Sequence, residues 1–347
     1  MTDDRLDDVG GPAQPLLTIR GLKKHFPLKK GALGQSTGVV RAVDGVDFDV
    51  LKGETLGVVG ESGCGKSTTA RLLMHLIDPT AGEVVFDGRT VGGRQLSLKE
   101  FRRQVQMVFQ DSYASLNPRL TIEDSIAFGP VVHGVPRREA VARARDLLAR
   151  VGLEPARFAG RYPHELSGGQ RQRINIARAL ALQPRLIILD EAVSALDKSV
   201  EAQVINLLMQ LKQEFQLTYV FISHDLNVVR YISDRVMVMY LGQVAEIGPA
   251  DALYEAAAHP YTGALLSSMP SMDPDHRTEK VPLAGDPPNP INPPSGCRFH
   301  PRCPIAAPVC ADRAPVLDAI APLHRVRCLA WEPGSGHPRA PALAEAA

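Results

Sequence analysis

The chain lacks the features that would indicate a membrane-spanning or a nucleic-acid-binding protein. No apolar run in its 347 residues approaches the ~20 residues that a transmembrane helix needs. The formal net charge is only +1, which does not indicate a large basic surface. Residues 1–5 are acidic and apolar-poor, which is atypical of a signal peptide. We therefore expect no nucleic-acid partner, and a membrane role only through other subunits.

Cysteine is scarce and unevenly placed. One of the five cysteines, Cys64, lies in a glycine-rich stretch, and the other four lie near the C-terminus. In a cytosolic chain such a group indicates metal rather than disulfides, and a metal would also order the proline-rich residues 282–315. Four thiolates can hold Zn²⁺ or an iron–sulfur cluster, and a set of unligated thiols is the alternative. The four candidate ligands are Cys297, Cys303, Cys310 and Cys328.

The glycine-rich stretch at residues 60–68 is the most informative sequence present. It follows a short apolar run and precedes leucines at helical spacing, which predicts a strand, a turn and a helix. Such a turn points its backbone N–H groups at an anion, and the helix N-terminus adds partial positive charge. Lys66 would reach the β- and γ-phosphates, and the Ser67 hydroxyl would bind Mg²⁺. The predicted nucleotide contacts in this loop are Gly60, Ser62, Gly63, Cys64, Gly65, Lys66, Ser67 and Thr68.

Apolar strands alternate with helical patterns through the rest of the chain. Continuous apolar runs at residues 186–189 and 219–222 predict buried strands of a mainly parallel α/β sheet, and residues 105–110 predict another buried strand that ends in a glutamine. Residues 121–152 have a helical pattern, and we place a helical subdomain at about residues 112–182. The predicted organisation is a disordered tail (1–15), a nucleotide-binding domain (16–258) and a proline- and cysteine-rich C-terminal region (259–347).

Two further motifs suit nucleotide hydrolysis. Asp190 ends a buried strand and can hold the Mg²⁺ shell, and Glu191 beside it can orient the attacking water. Ser167 and two following glycines begin a helix, which makes a second anion site of N–H groups. The alternative for Ser167 is an ordinary helix N-cap.

These motifs, in this order, resemble those of an ABC transporter ATPase over about residues 16–260. The resemblance implies a P-loop α/β fold with antiparallel N-terminal strands, and a head-to-tail dimer with two ATP molecules at its interface. The residues that carry it are the stretches 60–68, 166–170, 186–191 and 194–197 together with Gln110 and His224.

The resemblance also implies a role for each matching residue. Gln110 would touch Mg²⁺ and the attacking water, His224 would hold the γ-phosphate and water near Glu191, and Asp197 would couple the two sites. The γ-phosphate bound by the partner ATPase would be contacted by Ser167, Gly168, Gly169 and Gln170. Phe26 stands where the family stacks an aromatic ring on adenine, and a core phenylalanine is the competing interpretation.

A narrower resemblance is to the ATPases of bacterial oligopeptide, dipeptide and nickel importers, and it is carried by residues 109–119, 191–197 and 259–262. Among these ATPases, the chain most resembles the F-type subunit. The resemblance implies import of dipeptides or oligopeptides at the cytoplasmic face of the cell membrane. It implies four partners: a second homologous ATPase, two permeases and an extracytoplasmic peptide-binding protein. Some such ATPases hold a [4Fe–4S] cluster in the C-terminal region, which favours iron–sulfur over zinc. Nickel or oligosaccharide cargo, or a soluble ABC ATPase outside transport, are the alternatives.

Overall fold

The structure is a computed structural model that describes residues 14–28, 38–269 and 285–342. The predicted disordered tail lies outside these residues except for its last two positions. The chain forms two compact units, and each is described here by itself. As far as it is described, the first unit comprises Met1–Thr18, Asp49–Thr55 and Val85–Ser223. The second comprises Ile19–Phe48, Leu56–Val84 and His224–Ala347.

Strands and helices alternate along the described residues, as the sequence predicts. The strands are β1 (Leu17–Pro27), β2 (Val39–Val50), β3 (Thr55–Val59), β4 (Ala81–Phe86), β5 (Arg89–Thr90), β6 (Val105–Val108), β7 (Leu186–Asp190), β8 (Thr218–Ile222), β9 (Arg235–Tyr240), β10 (Gln243–Pro249), β11 (Asp318–Ala321) and β12 (His324–Val326). The α-helices are α1 (Lys66–Leu73), α2 (Leu98–Gln104), α3 (Ile122–Val132), α4 (Arg137–Arg150), α5 (Pro155–Phe158), α6 (Gly168–Leu180), α7 (Lys198–Phe215), α8 (Leu226–Ile232), α9 (Ala250–Glu255), α10 (Pro260–Ser267) and α11 (Val309–Asp312).

The first unit contains three parallel strands in the order β8–β7–β6. Val108 lies opposite Leu189, and Asp190 lies opposite Ile222. Every residue of β7 and β8 is buried, which explains their continuous apolar runs. Because parallel strands end at the same edge of a sheet, the residues that follow β6 and β7 come to one edge of this unit.

The stretch with a helical pattern at residues 121–152 contains two helices, α3 and α4. They are separated at Gly134, whose φ is +92°, and at Pro136, the residue before α4. A left-handed residue and a proline both interrupt a helix. Helices α3 to α6 all lie within residues 112–182, the stretch predicted as a helical subdomain.

The second unit contains five strands in the order β11–β12–β10–β9–β3. Strands β3 and β9 are parallel, and β9 and β10 form an antiparallel hairpin. The two residues at the turn of this hairpin, Leu241 and Gly242, have φ values of +43° and +78°. In the parallel pair of β3 and β9, Val59 lies opposite Val238. The same unit holds strands in the order β2–β1–β4. None of the helices in the described residues is both long and apolar enough to cross a bilayer.

The described part of the C-terminal region is held in place by ordinary protein contacts. β12 pairs with β10, with Val326 opposite Glu246. His324 Nε2 lies 2.8 Å from the Glu246 carboxylate, which is fully buried. Protein contacts therefore hold this part of the chain, in addition to any metal that its cysteines bind. The proline-rich residues 285–315 contain one 3₁₀ turn, His300–Arg302, and the short helix α11, in agreement with the expected lack of long regular elements.

Candidate nucleotide and catalytic site

The glycine-rich loop in the second unit has the strand, turn and helix context that the sequence predicts. It runs from the buried strand β3 into α1. Gly60 and Gly65 have φ values of +149° and +110°. A Cβ on Gly60 would lie 2.3 Å from the Met239 carbonyl oxygen, and one on Gly65 would lie 2.3 Å from that of Ala42. Both positions therefore require glycine, for conformation and for space.

Lys66, the first residue of α1, is buried and folds back over the loop. Its Nζ donates to the carbonyl oxygens of Gly60 at 2.7 Å and of Glu61 at 3.1 Å. The Cys64 thiol is buried as well, and burial raises its pKa, so it is a neutral thiol that packs inside the loop. Ser62 and Gly63 are exposed, and Ser67 and Thr68 are half-buried in the first turn of α1.

The two other predicted site residues of the second unit are accessible. Phe26 on β1 is 40% exposed, with the Lys24 ammonium 5.2 Å from the ring centroid, so it is not a core phenylalanine. His224 is exposed immediately before Asp225, the N-cap of α8. Asp225 accepts hydrogen bonds from the N–H groups of the first turn of that helix.

In the first unit, Glu191 is held in a sparsely populated backbone conformation. Its φ is +48°, and its N–H donates to the Ile222 carbonyl at 2.9 Å. The N–H and hydroxyl of Ser194 both donate to the Glu191 carbonyl, at 3.2 and 2.9 Å. Gln110 Nε2 donates to the Glu191 carboxylate at 2.8 Å, and Asp190 is buried at the end of β7. Several hydrogen bonds therefore fix a strained acidic residue beside a second acid.

The second anion site predicted from the sequence begins with a complete capping box. Ser167 Oγ accepts from the Gln170 N–H at 3.3 Å, and the Gln170 side chain accepts from the Ser167 N–H at 3.0 Å. Ser167 is therefore the N-cap of α6, as the alternative interpretation held. A Cβ on Gly169 would lie 2.5 Å from Val200 Cγ1, whereas one on Gly168 would lie 3.8 Å from Leu196. Asp197 is the exposed N-cap of α7.

Comparison with known proteins decides the family. Residues 43–194 match the ABC transporter family, and residues 245–310 match the oligopeptide/dipeptide transporter C-terminal region. The chain is 52% identical to the oligopeptide transport ATP-binding protein AppF of Bacillus subtilis, over 91% of this chain and 97% of that protein. It is 53% identical to a peptide ABC transporter ATP-binding protein, y4tS, of Sinorhizobium fredii, over 95% and 91%.

The chain belongs to the oligopeptide/dipeptide family of ABC transporter ATP-binding proteins. Solved structures confirm the predicted fold of this ABC ATPase. The cbiO1 protein of Clostridium perfringens, part of the ABC transporter complex cbiONQ, aligns with a TM-score of 0.59 and 26% identity, over 70% of this chain and 91% of that one. The ATP-binding cassette MJ0796, solved as a dimer bound to ADP and Pi, aligns with a TM-score of 0.58 and 30% identity, over 67% and 98%.

The four C-terminal cysteines of this ABC ATPase lie in one folded part of the second unit. The Cys297 N–H donates to the Cys310 carbonyl at 2.8 Å, and glycine at position 296 permits this approach, since a Cβ there would lie 2.4 Å from the same oxygen. Burial raises the pKa of Cys297 to about 11 and that of Cys328 to about 12, and the neighbouring cysteines, Cys303 among them, add to both shifts.

These cysteines are not arranged as the predicted metal site. Among residues 14–28, 38–269 and 285–342, no three Cys, His, Asp or Glu side chains are placed to hold one metal ion. Raised pKa values are those of protonated thiols, and a metal would have to displace those protons. The backbone gathers the thiols, and ligation would require their side chains to turn toward one another.

Sequence reasoning missed two residues that contact the glycine-rich loop. Arg302 forms a two-bond ion pair with the Glu61 carboxylate, at 2.9 and 3.0 Å. The Tyr261 hydroxyl accepts from the Glu61 N–H at 2.9 Å. Because 241 residues separate the ion-pair partners and 200 separate the other two, no local motif could indicate either contact.

Proposed function

We propose that this chain is the ATP-hydrolysing subunit of a bacterial importer of dipeptides or oligopeptides. The observation that carries the hydrolytic part is the Gln110–Glu191 hydrogen bond, which fixes a general-base candidate next to Asp190. The peptide cargo is supported by the C-terminal region and by relatives named as peptide transport ATP-binding proteins. Hydrolysis would drive the permeases between inward- and outward-facing states.

Each residue contributes a distinct step in this proposal. The loop N–H groups and Lys66 bind the β- and γ-phosphates, and Phe26 stacks on adenine. Mg²⁺ would be held by Ser67, Gln110 and Asp190. A proton passes from the attacking water to Glu191, while His224 holds the γ-phosphate.

The proposed assembly is a head-to-tail pair with a second, homologous ATPase. Ser167, Gly168, Gly169 and Gln170 then contact the nucleotide held by the partner, and Asp197 couples the two sites. Two permeases and an extracytoplasmic peptide-binding protein complete the importer, which places this chain at the cytoplasmic face of the membrane. The segment that follows Gln110, where the proposed helical subdomain at about residues 112–182 begins, would meet the coupling helices of the permeases.

The test combines purification with uptake. The tagged chain is isolated from detergent-solubilised native membranes, and uptake of a labelled dipeptide and a labelled tetrapeptide is measured in a deletion strain. We expect a second ATPase and two permeases to co-purify, and uptake to return with the wild-type gene only. If the deletion strain keeps its peptide uptake but loses uptake of nickel or of an oligosaccharide, the proposed peptide cargo is wrong. Isolation without membrane subunits would contradict the transport role.

We further propose that the four C-terminal cysteines bind a [4Fe–4S] cluster, with Zn²⁺ as the second candidate. The support is the gathering of four thiols by the backbone, since four cysteines are the usual ligands of such clusters. Anaerobically purified protein should then be brown, with absorption near ~400 nm and about equal iron and sulfide. A colourless protein with one zinc per chain would favour the second candidate. The absence of both metals from fresh preparations would discard the site.

A further inference from the structure

The phosphate-binding loop carries one negative side chain in a place that must accept an anion. Of residues 60–68, only Glu61 and Lys66 are charged, with opposite signs. The Glu61 carbonyl accepts from the Lys66 ammonium, so the two residues are joined within the loop. An unpaired carboxylate here would repel the phosphates, because like charges at short range in a partly buried site are weakly screened.

Arg302 neutralises that carboxylate with a planar, two-bond pair. Its Nη1 and Nη2 donate to Glu61 Oε2 and Oε1 at 2.9 and 3.0 Å. The Arg302 side chain is only 5% exposed and that of Glu61 is 21% exposed, so the pair is shielded from solvent. Paired charges of this geometry are stronger and more directional than a surface ion pair.

A second contact fixes the backbone of the same residue. The Glu61 N–H donates to the hydroxyl of Tyr261, which is fully buried. Tyr261 packs against Tyr240 and Phe299, with ring centroids 4.6 and 5.4 Å away. Arg302 also lies near this cluster, with its guanidinium 5.9 Å from the Tyr240 ring. Glu61 is therefore held through its side chain and its backbone by one rigid group.

Arg302 is positioned by the turn that joins two of the C-terminal cysteines. It ends the 3₁₀ turn His300–Arg302, and its N–H donates to the Phe299 carbonyl at 3.0 Å. Cys297 lies three residues before the turn, where its carbonyl accepts from the His300 N–H at 3.0 Å, and Cys303 follows the turn directly. The conformation of this turn therefore sets where the guanidinium lies.

A second arginine of the same turn region contacts the backbone around the loop. Arg298 donates to Asp44 on β2 and to the Leu241 carbonyl. The Asp44 N–H donates to the Gly242 carbonyl, and the Gly242 N–H donates to the Cys64 carbonyl, each at 2.8 Å. The C-terminal region thus reaches the phosphate-binding loop by two separate routes.

We propose that Arg302 is a positioning residue for ATP binding, by which the C-terminal region neutralises Glu61 and fixes the phosphate-binding loop. This inference rests on the proposed ATPase function. Loss of Arg302 leaves a carboxylate unpaired beside the phosphates and frees the loop. The consequence falls on nucleotide binding, since Arg302 is not placed at the reacting atoms.

The test measures the KM for Mg·ATP and kcat of the co-purified complex, and Mg·ATP affinity of the full-length chain by titration calorimetry. We expect Arg302→Gln to raise KM and Kd by roughly 5- to 30-fold, with kcat within about three-fold of wild type. Arg302→Lys should recover part of the lost Mg·ATP affinity, because lysine keeps the positive charge but cannot form the two-bond contact of the guanidinium with the carboxylate. Arg313→Gln is the matched control, since Arg313 forms its own ion pair with Glu332 in the same region.

A double-mutant cycle separates neutralisation from a general structural effect. In a Glu61→Gln background, adding Arg302→Gln should change KM by less than about two-fold, because no carboxylate remains to be paired. Thermal unfolding of each variant identifies any that fail to fold. An unchanged KM for Arg302→Gln, or an equal effect in both backgrounds, would overturn the inference. A wild-type chain that does not bind Mg·ATP would instead contradict the proposed function.

Discussion

Backbone hydrogen bonds hold Glu191 in addition to the contact between Gln110 and its carboxylate, so a substitution of the carboxylate alone leaves the backbone contacts in place. Glu191→Gln keeps the size and the backbone contacts but removes the proton acceptor. We expect ATP affinity to be retained and turnover by the assembled complex to fall by roughly 10²- to 10⁴-fold. The control is Glu139→Gln, an exposed acid paired with Arg143 on α4. Near wild-type hydrolysis would rule out Glu191 as the base.

The two glycines of the second anion site, Gly168 and Gly169, differ in whether packing within this chain leaves room for a side chain. Gly168 has room for a Cβ, whereas Gly169 would place one against Val200. Gly168→Ala should therefore leave the melting temperature unchanged while it lowers hydrolysis in the complex, because the partner's nucleotide needs the space. Gly169→Ala should lower stability by about 1–3 kcal/mol. Calorimetry and ATPase assays on both variants check this, and full activity of Gly168→Ala would exclude a contact at that position.

His259 should make the protein sensitive to mild acid. Burial lowers its pKa from 6.5 to about 4, so the folded state keeps the ring neutral while the unfolded state is protonated below pH 6.5. The unfolded state binds more protons in this window, so stability falls as the pH drops from about 6.5 to 4. The loss is on the order of 3 kcal/mol at the acid end.

Replacing His259 tests that window. Its Nδ1 accepts from the Tyr261 N–H at 3.0 Å as the N-cap of α10, and Asn can take over this cap. His259→Asn should therefore flatten the dependence of unfolding free energy on pH between 6.5 and 4. His164→Asn, at an exposed histidine beside Tyr162, is the control. An unchanged slope in His259→Asn would show that other groups cause the acid loss.

At the scale of elements, the prediction of strands succeeded where burial imposes an apolar pattern on the sequence. The prediction of helices failed where capping residues determine the ends of a helix. The apolar runs of β7 and β8 were placed within one residue of the observed ends of these strands. Helix α1 ends at Leu73, and Leu76, which continues the helical spacing of leucines, lies beyond that end and is 46% exposed. Helix α2 was not predicted, although Ser97 and Glu100 form a capping box, which is a sequence signal for the start of a helix.

That capping box predicts a measurable local effect. Ser97 Oγ accepts from the Glu100 N–H at 3.3 Å, and the Glu100 carboxylate accepts from the Ser97 N–H at 3.1 Å. Ser97→Ala removes the cap and should cost about 1 kcal/mol of unfolding free energy. Ser97→Asp, which can still cap, should recover most of it. Denaturant unfolding of both variants checks the difference, and equal losses would mean that the cap does not hold α2.

At the scale of the whole molecule, local motifs were predictable and long-range pairings were not. The glycine-rich loop, Asp190 and the capped α6 each depend on a few adjacent residues, so the sequence alone indicates them. Arg302 with Glu61 and His324 with Glu246 pair across 241 and 78 residues. Nothing in either local sequence marks the partner, because such pairs form only when the fold brings distant segments of the chain together.

These pairings bear on the predicted division between the ATPase domain and a separate region from residue 259. Burial alone would raise the pKa of Glu246, but hydrogen bonds from His324, Thr262 and two backbone N–H groups outweigh it and hold that pKa below its usual value. Glu61 and Asp44 form ion pairs with Arg302 and Arg298, respectively. Removing residues 285–347 would leave all three carboxylates short of a partner and expose the β10 edge.

We therefore expect a chain that ends at residue 284 to be destabilised throughout the second unit. Each buried acid that loses its partner costs about 1–3 kcal/mol, so the melting temperature should fall by roughly 10 °C or more. Thermal unfolding and limited proteolysis of the full and shortened chains measure this. The double variant Arg313→Gln/Glu332→Gln, which removes an ion pair confined to the C-terminal region, serves as the control. If the shortened chain melts like the full one, the C-terminal region is an independent domain, because its contacts with β10 and the phosphate-binding loop would then add nothing to folding.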